Sequence, residues 1–271
     1  MSPPLTFLYA PSDQPDRVRK ALASAADVVL VDLEDAVAPA RKDEARENAV
    51  RLLATPGRPV QVRVNHPSTP WHDADLAAVA GLPLPVGVRL PKVESADEIR
   101  AVERVLPGRA LHPLIESALG VERALEIATA SPAIASIGLG EADLRSDLGL
   151  SDDAGLTWAR SRVIVAARAA RLGPPAMSAY VNVRDLDGLA ESCRAGRALG
   201  FRGRTAIHPA QLETIRAAFL PTPQEVSRAR EVLARVAGAT AAGVGAIALP
   251  DGTFLDVAMV EQARSVLSLA D

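Results

Sequence analysis

The chain of 271 residues is poor in the groups that most often announce a function. It has one cysteine, Cys193, so no internal disulfide can form. Cys193 stands in the helical run LDGLAESCRAGRALG, where packing is its expected role. Only four histidines occur, His66, His72, His112 and His208, scattered and without an HxxxH or CxxC spacing to compete as a zinc site. Aromatics make up 3%. No block of Lys and Arg stands out at a net charge of -3, which argues against a nucleic-acid binder. No apolar run approaches the roughly 20 residues of a membrane span. MSPPLTFLYAPS lacks the basic start and long apolar core of a signal peptide. A soluble, cytoplasmic chain is expected.

What is present is alternation. Short aliphatic runs alternate with helical patterns, the signature of βα units around a parallel sheet. Strands are expected at Leu5–Tyr9, Asp27–Leu33, Val60–Val64, Gly87–Leu90, Ala110–Ile115, Ile134–Leu139, Ala176–Val181 and Thr205–Ile207. Ser95-Ala96-Asp97-Glu98 and Thr222-Pro223-Gln224-Glu225 read as capping boxes, and Gln14-Pro15-Asp16 opens the first helix in similar fashion. Eight such strands with intervening helices predict an α/β fold, a (β/α)8 TIM barrel over residues 1–221. An open doubly wound sheet fits the same alternation but usually has fewer strands. Residues 222–271 predict a C-terminal helix and a lid, since a small-residue hinge, GATAAGVGAIA, precedes DGTFLD and a last helix. A surface extension without function would read the same way.

The stretch VVLVDLEDAV runs a buried strand straight into Asp32, Glu34 and Asp35. Carboxylates that close repel one another unless a cation or an arginine spreads the charge. Other strand ends are also ionisable: Arg63, Lys92, Glu116, Glu141 with Asp143, and His208. In a parallel barrel these ends share one rim, where barrel enzymes hold their chemistry. Glu116 and Asp143, from neighbouring strands, suit Mg2+, which takes a carboxylate or two and keeps waters. The plainer alternatives are an acid at a helix start for Glu116 and a loop cap for Asp143. Arg63 in QVRVN shares a face with Gln61 and Asn65. It can hold a substrate carboxylate or form a structural pair with Asp32 or Asp35.

VVLVDLEDAV with KDEAR, VRVN, RLPKVES, LIESALGV, GEADLRSDLG, WARSRVIVAARAA, GFRGRTAIHPAQ and DGTFLDVAMVEQAR together resemble the citrate lyase beta-subunit family, which includes malyl-CoA and citramalyl-CoA lyases. The resemblance spans nearly the whole chain. It implies a TIM barrel with a C-terminal lid that uses Mg2+ to cleave or form a 3-hydroxyacyl-CoA, giving acetyl-CoA and a keto acid. Position by position, Glu116 and Asp143 match the metal ligands, and Arg63 matches the arginine on the reacting oxygens. Glu34 and Asp35 match acids around them, and Asp256 a lid acid/base contributed across a subunit boundary. Arg17 and Lys20 match positions that hold CoA phosphates. A homo-oligomer, trimer or hexamer, is implied in the same way. PPAMSAYVNV departs from the acid-rich or Gly-rich segment common near the seventh strand, GEADL from the commoner GAEDL, and FLDVAM from the usual lid. A carrier-protein-dependent citrate lyase beta subunit and a metal-dependent class II pyruvate aldolase remain as alternatives. The aldolases typically carry a histidine base just after strand two, where this chain has Asp35. Lysis followed by thioester hydrolysis is not separated from lysis alone.

Overall fold

The computed structural model describes residues 3–241, 247–248, 254–255 and 257–270. They fall into two compact units, one spanning Pro4–Arg216 and the other running from Ala217 onward with Pro3. The first is built on a parallel sheet of β1 (Thr6–Pro11), β2 (Val28–Asp32), β3 (Val60–Arg63), β4 (Val86–Leu90), β5 (Leu111–Ile115), β6 (Gly138–Leu139) and β7 (Arg204–Ala206). Its order is β6-β5-β4-β3-β2-β1-β7. Consecutive strands are neighbours from β1 to β6, and β7 returns to pair with β1, so the sheet is a curled one.

Both faces are covered, which is why the strands read as aliphatic runs rather than as alternation. Val29, Val31, Val62 and Val88 are fully buried. Phe7, Val28 and Leu30 form a cluster with Tyr9 and Ala176. Register then fixes what reaches the end of the sheet: Asp32 pairs with Arg63, Arg63 with Arg89, and Arg89 with His112. Because side chains alternate, these partners share a face.

The strand expected at Ala176–Val181 contributes a single parallel bridge, Met177 to Arg204. Pro174 and Pro175 immediately before it carry no N–H to extend a ladder. What remains is Arg202 N to Pro175 O at 2.9 Å, Met177 N to Gly203 O at 2.9 Å and Thr205 N to Met177 O at 3.0 Å. The strand expected from Ile134 is also shorter, with one bridge at Ile134 before β6.

Helix starts largely follow their sequence signals. Ser95 accepts from Glu98 N and donates to Glu98 Oε1 at 2.9 Å, while Glu98 also takes Glu94 N. Gln14 makes no side-chain cap, and Pro15 alone sets that start. Cys193 is fully buried within the helix Leu186–Leu199. In the second unit, Thr222 and Glu225 cap each other reciprocally at 2.7 and 3.2 Å, opening the helix Pro223–Ala241. That helix packs Ala229 and Val232 against Ala263 of the helix Val257–Ala270. A short antiparallel pair, Ile247–Ala248 with Phe254–Leu255, belongs to the same unit. Among the described residues no helix is long and apolar enough to cross a membrane.

Candidate active site

The carboxylates that close β2 have distinct tasks. Asp32 caps its own loop, with Oδ1 accepting from Glu34 N at 3.0 Å and Oδ2 from Ala36 N at 3.2 Å. The same two oxygens hold Arg63 in a fork, Nε to Oδ1 at 2.7 Å and Nη2 to Oδ2 at 2.6 Å. A bidentate pair of this kind fixes the guanidinium plane as well as its position. Arg63 Nη1 lies 2.8 Å from Glu34 Oε2 and 3.3 Å from Asp35 Oδ2. Its other side rests over the Tyr9 ring, 4.9 Å from the centroid. Burial alone would lower the proton affinity of Arg63, but Asp32 and Glu34 outweigh it and raise it.

Lys92 forms the other half of the network. Its ammonium meets Glu34 Oε1 at 2.6 Å and lies 3.7 Å from both Asp35 Oδ1 and Asp143 Oδ1. Burial works against the charge on Lys92, and the bond to Glu34 more than restores it. The Lys92 backbone is left-handed, φ 51°, a conformation non-glycine residues seldom take. That bend turns Lys92 N toward Glu116 Oε2, 2.8 Å away. Burial, with Glu34 adding to it, pushes the Glu116 carboxyl up to about 7; Lys92 and Arg63 oppose this and Asp143 adds to it. Glu34 is likewise raised, first by burial, with Arg63 and Lys92 opposing.

Glu116 reaches this place because Gly140 leaves room, since a Cβ there would land on Glu116 Oε1. Asp143 comes from the first turn of the helix Glu141–Asp147. Tyr9, Asp32, Asp35, Arg63, Glu116 and Asp143 line a common pocket of about 370 Å3.

A divalent cation fits these residues. Glu116 and Asp143 share the pocket, and Asp143 is half-exposed to it. Glu34 Oε2 is buried without an aligned hydrogen-bond donor, even with Arg63 Nη1 at 2.8 Å. The acidic donors that share the pocket are carboxylates, with no His or Cys in its lining among the described residues, and oxygen donors of this kind suit a hydrated Mg2+ better than zinc.

Other expected residues lie elsewhere. Glu141 is turned away into a two-bond pair with Arg160, both at 2.8 Å. His208 caps a short turn by accepting Ala210 N at 3.1 Å. Arg17 and Lys20 are exposed on the helix Pro15–Leu22 and do not line the pocket. Asp256 lies outside the described residues.

Lys42 begins KDEAR, a pattern that by itself marks only a helix start. Buried at the start of the helix Lys42–Leu52, its ammonium is 2.7 Å from Leu33 O, Glu34 O and Asn65 Oδ1. It therefore pins the backbone of the acidic loop from behind. Burial lowers its proton affinity.

An arginine anchored by carboxylates beside two further acids, at the C-terminal ends of parallel strands, is an arrangement with the charge and donors to take a divalent cation and an oxygen-rich ligand. The chain belongs to the HpcH/HpaI aldolase/citrate lyase family, whose profile matches residues 5–209. It is 36% identical over 272 residues to a (3S)-malyl-CoA thioesterase of Cereibacter sphaeroides, covering 98% of this chain and 94% of that one. It is 32% identical over 283 residues to citrate lyase subunit beta of Leuconostoc mesenteroides subsp. cremoris, covering 98% and 93%. The crystal structure of CitE from Mycobacterium tuberculosis in complex with magnesium, acetoacetate and coenzyme A superposes with a TM-score of 0.87 at 33% identity, covering 100% of this chain and 99% of that one.

Proposed function

We propose that the chain is a Mg2+-dependent carbon–carbon lyase that cleaves, or in reverse forms, a 3-hydroxyacyl-CoA, with acetyl-CoA and a keto acid as products. The observation that carries this reading is Arg63, held bidentate by Asp32 at 2.6 and 2.7 Å beside the Glu116–Asp143 pair. The complex of a related protein with magnesium, acetoacetate and coenzyme A supports it. Glu116 and Asp143 would hold the metal, with water and substrate oxygens filling the rest. Bound Mg2+ supplies Lewis acidity toward the hydroxyl and carboxylate oxygens of the substrate.

The remaining roles belong to the chain's own groups. In cleavage the substrate hydroxyl gives its proton to solvent and its oxygen becomes the keto oxygen, while the electron pair of the bond between the thioester's α-carbon and the carbinol carbon passes to the thioester as an enolate. Arg63, its plane fixed by Asp32, donates to the oxygen on which that negative charge collects. Lys92 and Asp35 keep Glu34 and Arg63 in place, and Lys42 keeps their loop in place. Asp256 protonates the enolate carbon, or takes that proton in the reverse direction, from the C-terminal lid of a neighbouring subunit in a trimer or hexamer. Arg17 and Lys20 hold CoA phosphates.

A second reading, lysis followed by hydrolysis of the thioester, is favoured by the thioesterase name of one relative. A carrier-bound acyl group in place of CoA is favoured by the citrate lyase subunit beta. Titration of acetyl-CoA with pyruvate, glyoxylate or oxaloacetate, with Mg2+ and after chelation, tests the proposal. Metal-dependent binding lost in Glu116→Ala and Asp143→Ala is the expected outcome. Absence of binding by any CoA ester would overturn the CoA-dependent reading in favour of a carrier-bound substrate.

A further inference from the structure

Arg63 and Arg89 stand side by side in register on β3 and β4 and line the same pocket. Their surroundings differ. Arg63 meets Asp32, Glu34 and Asp35. Arg89 is 8% exposed, and its one hydrogen bond among the described residues runs from Nε to Gln61 Oε1 at 3.1 Å. The two Nη groups have no protein acceptor there, and no carboxylate lies within ion-pair distance. Each acid of the lining is engaged elsewhere: Asp32 and Asp35 with Arg63, Glu116 with the Lys92 amide, Asp143 nearest to Lys92. Neither Nη is among the buried unpartnered atoms, so both are open to the pocket, and a fork of free donors matches a carboxylate in shape and charge.

Position fixes which part of a substrate this fork could meet. Arg89 precedes Lys92 by three residues on the same strand end, so it enters the pocket deeper than the rim where Lys92 meets Asp143. Its register partner His112 is held neutral, pushed down to about 3 by burial and by the Arg89 charge itself. On the β5 side, therefore, His112 offers an anion no second cation, while on the β3 side Arg63 is taken up by Asp32 and Glu34.

We propose that Arg89 is a specificity residue that receives a second carboxylate on the keto-acid half of the substrate. The preferred keto acid is then a dicarboxylic 2-oxo acid, and the acyl thioester made from it carries two free carboxylates. This rests on the lyase reading above and names its substrate class. One carboxylate and the 2-oxo oxygen are left for the Glu116–Asp143 end of the pocket, while the distal carboxylate turns to Arg89.

The test is calorimetric titration of the Mg2+-loaded protein with oxaloacetate and 2-oxoglutarate against pyruvate and glyoxylate. The wild-type protein is expected to favour a dicarboxylate by about tenfold or more. Arg89→Met should lower that ratio by about tenfold or more, and Arg89→Lys, which keeps the charge but not the fork, should recover part of it. Equal affinity of the wild-type protein for both classes overturns the proposal, as does a ratio unmoved in a folded Arg89→Met. If Arg89→Met does not fold, the wild-type ratio decides alone. Failure of every keto acid to bind with Mg2+ present is a different result: it overturns the lyase reading, and this proposal with it.

Discussion

Gly140 owes its importance to an atom it does not have. A Cβ at this position would land on Glu116 Oε1. Gly140→Ala should therefore displace one proposed metal ligand while leaving the backbone at ease, since Gly140 has ordinary extended angles, φ -93° and ψ 91°. The expected outcome is a loss of Mg2+ affinity of about tenfold or more with little change in thermal stability. Titration calorimetry and a melting curve check both halves. Asp32 presents the opposite case, a residue whose loss should be felt throughout the fold. It is 1% exposed, holds Arg63 in a fork and takes two backbone N–H groups. Asp32→Ala leaves a buried guanidinium without its main partner and two amides without acceptors. A destabilisation of about 3 kcal/mol is expected, read as a shift in the urea midpoint.

At the scale of strands, what was legible in the sequence and what was not have separate causes. β1 to β5 announced themselves because a sheet buried on both faces demands unbroken aliphatic runs, and their ends fell within two residues of expectation. The segment 176–181 is a shorter run that reads as strand or as loop, and with Pro174 and Pro175 before it one bridge forms. Acids at strand ends were visible, but their direction was not. Glu141 and Asp143 are two residues apart, and only the helix that starts at Glu141 decides that the first meets Arg160. Lys42 and Arg89 carry no distinctive sequence signal, because a lysine opening a helix and an arginine in a short strand both have commonplace readings. The same strands carry a pH effect. Gly87 on β4 leaves space for the His112 ring on β5, whose Nδ1 meets Ser136 Oγ at 2.8 Å. Burial and Arg89 push that imidazole down to about 3, whereas the unfolded chain protonates it near 6.5. The unfolded state binds the extra proton between those values. The contribution of His112 is therefore complete above about pH 6.5 and lost as pH falls toward 3. Urea midpoints at about pH 7.5 and 4.5 should differ less in His112→Asn than in the wild-type protein, by up to about 3 kcal/mol. An unchanged difference would show that the imidazole is protonated in the folded state.

Over the whole molecule the decisive quantity is where the charge sits. The net charge is only -3, yet Asp32, Glu34, Asp35, Glu116 and Asp143 gather around Arg63 and Lys92. Unfolding returns the buried Glu116 carboxylate to water and separates it from Glu34 and Asp143, so this position, when empty, works against the folded state. A divalent cation bound at Glu116 and Asp143 reverses that balance, and it has no comparable site on the unfolded chain. Stabilisation by mass action then grows as RT ln(1 + [L]/Kd), about 2.7 kcal/mol when the free ion is 100 times its Kd. For a chain of 271 residues this corresponds to a rise in melting temperature of roughly 5 to 10 °C. The comparison has to separate binding from screening, because any salt weakens repulsion among exposed acids. Melting curves with MgCl2, with NaCl at matched ionic strength and with a chelator make that separation. Mg2+ should raise the transition well beyond the NaCl control, and the excess should vanish in the Glu116→Ala, Asp143→Ala double variant. Equal effects of Mg2+ and NaCl would mean that the acids are balanced by Arg63 and Lys92 alone, and that Glu116 and Asp143 hold no metal.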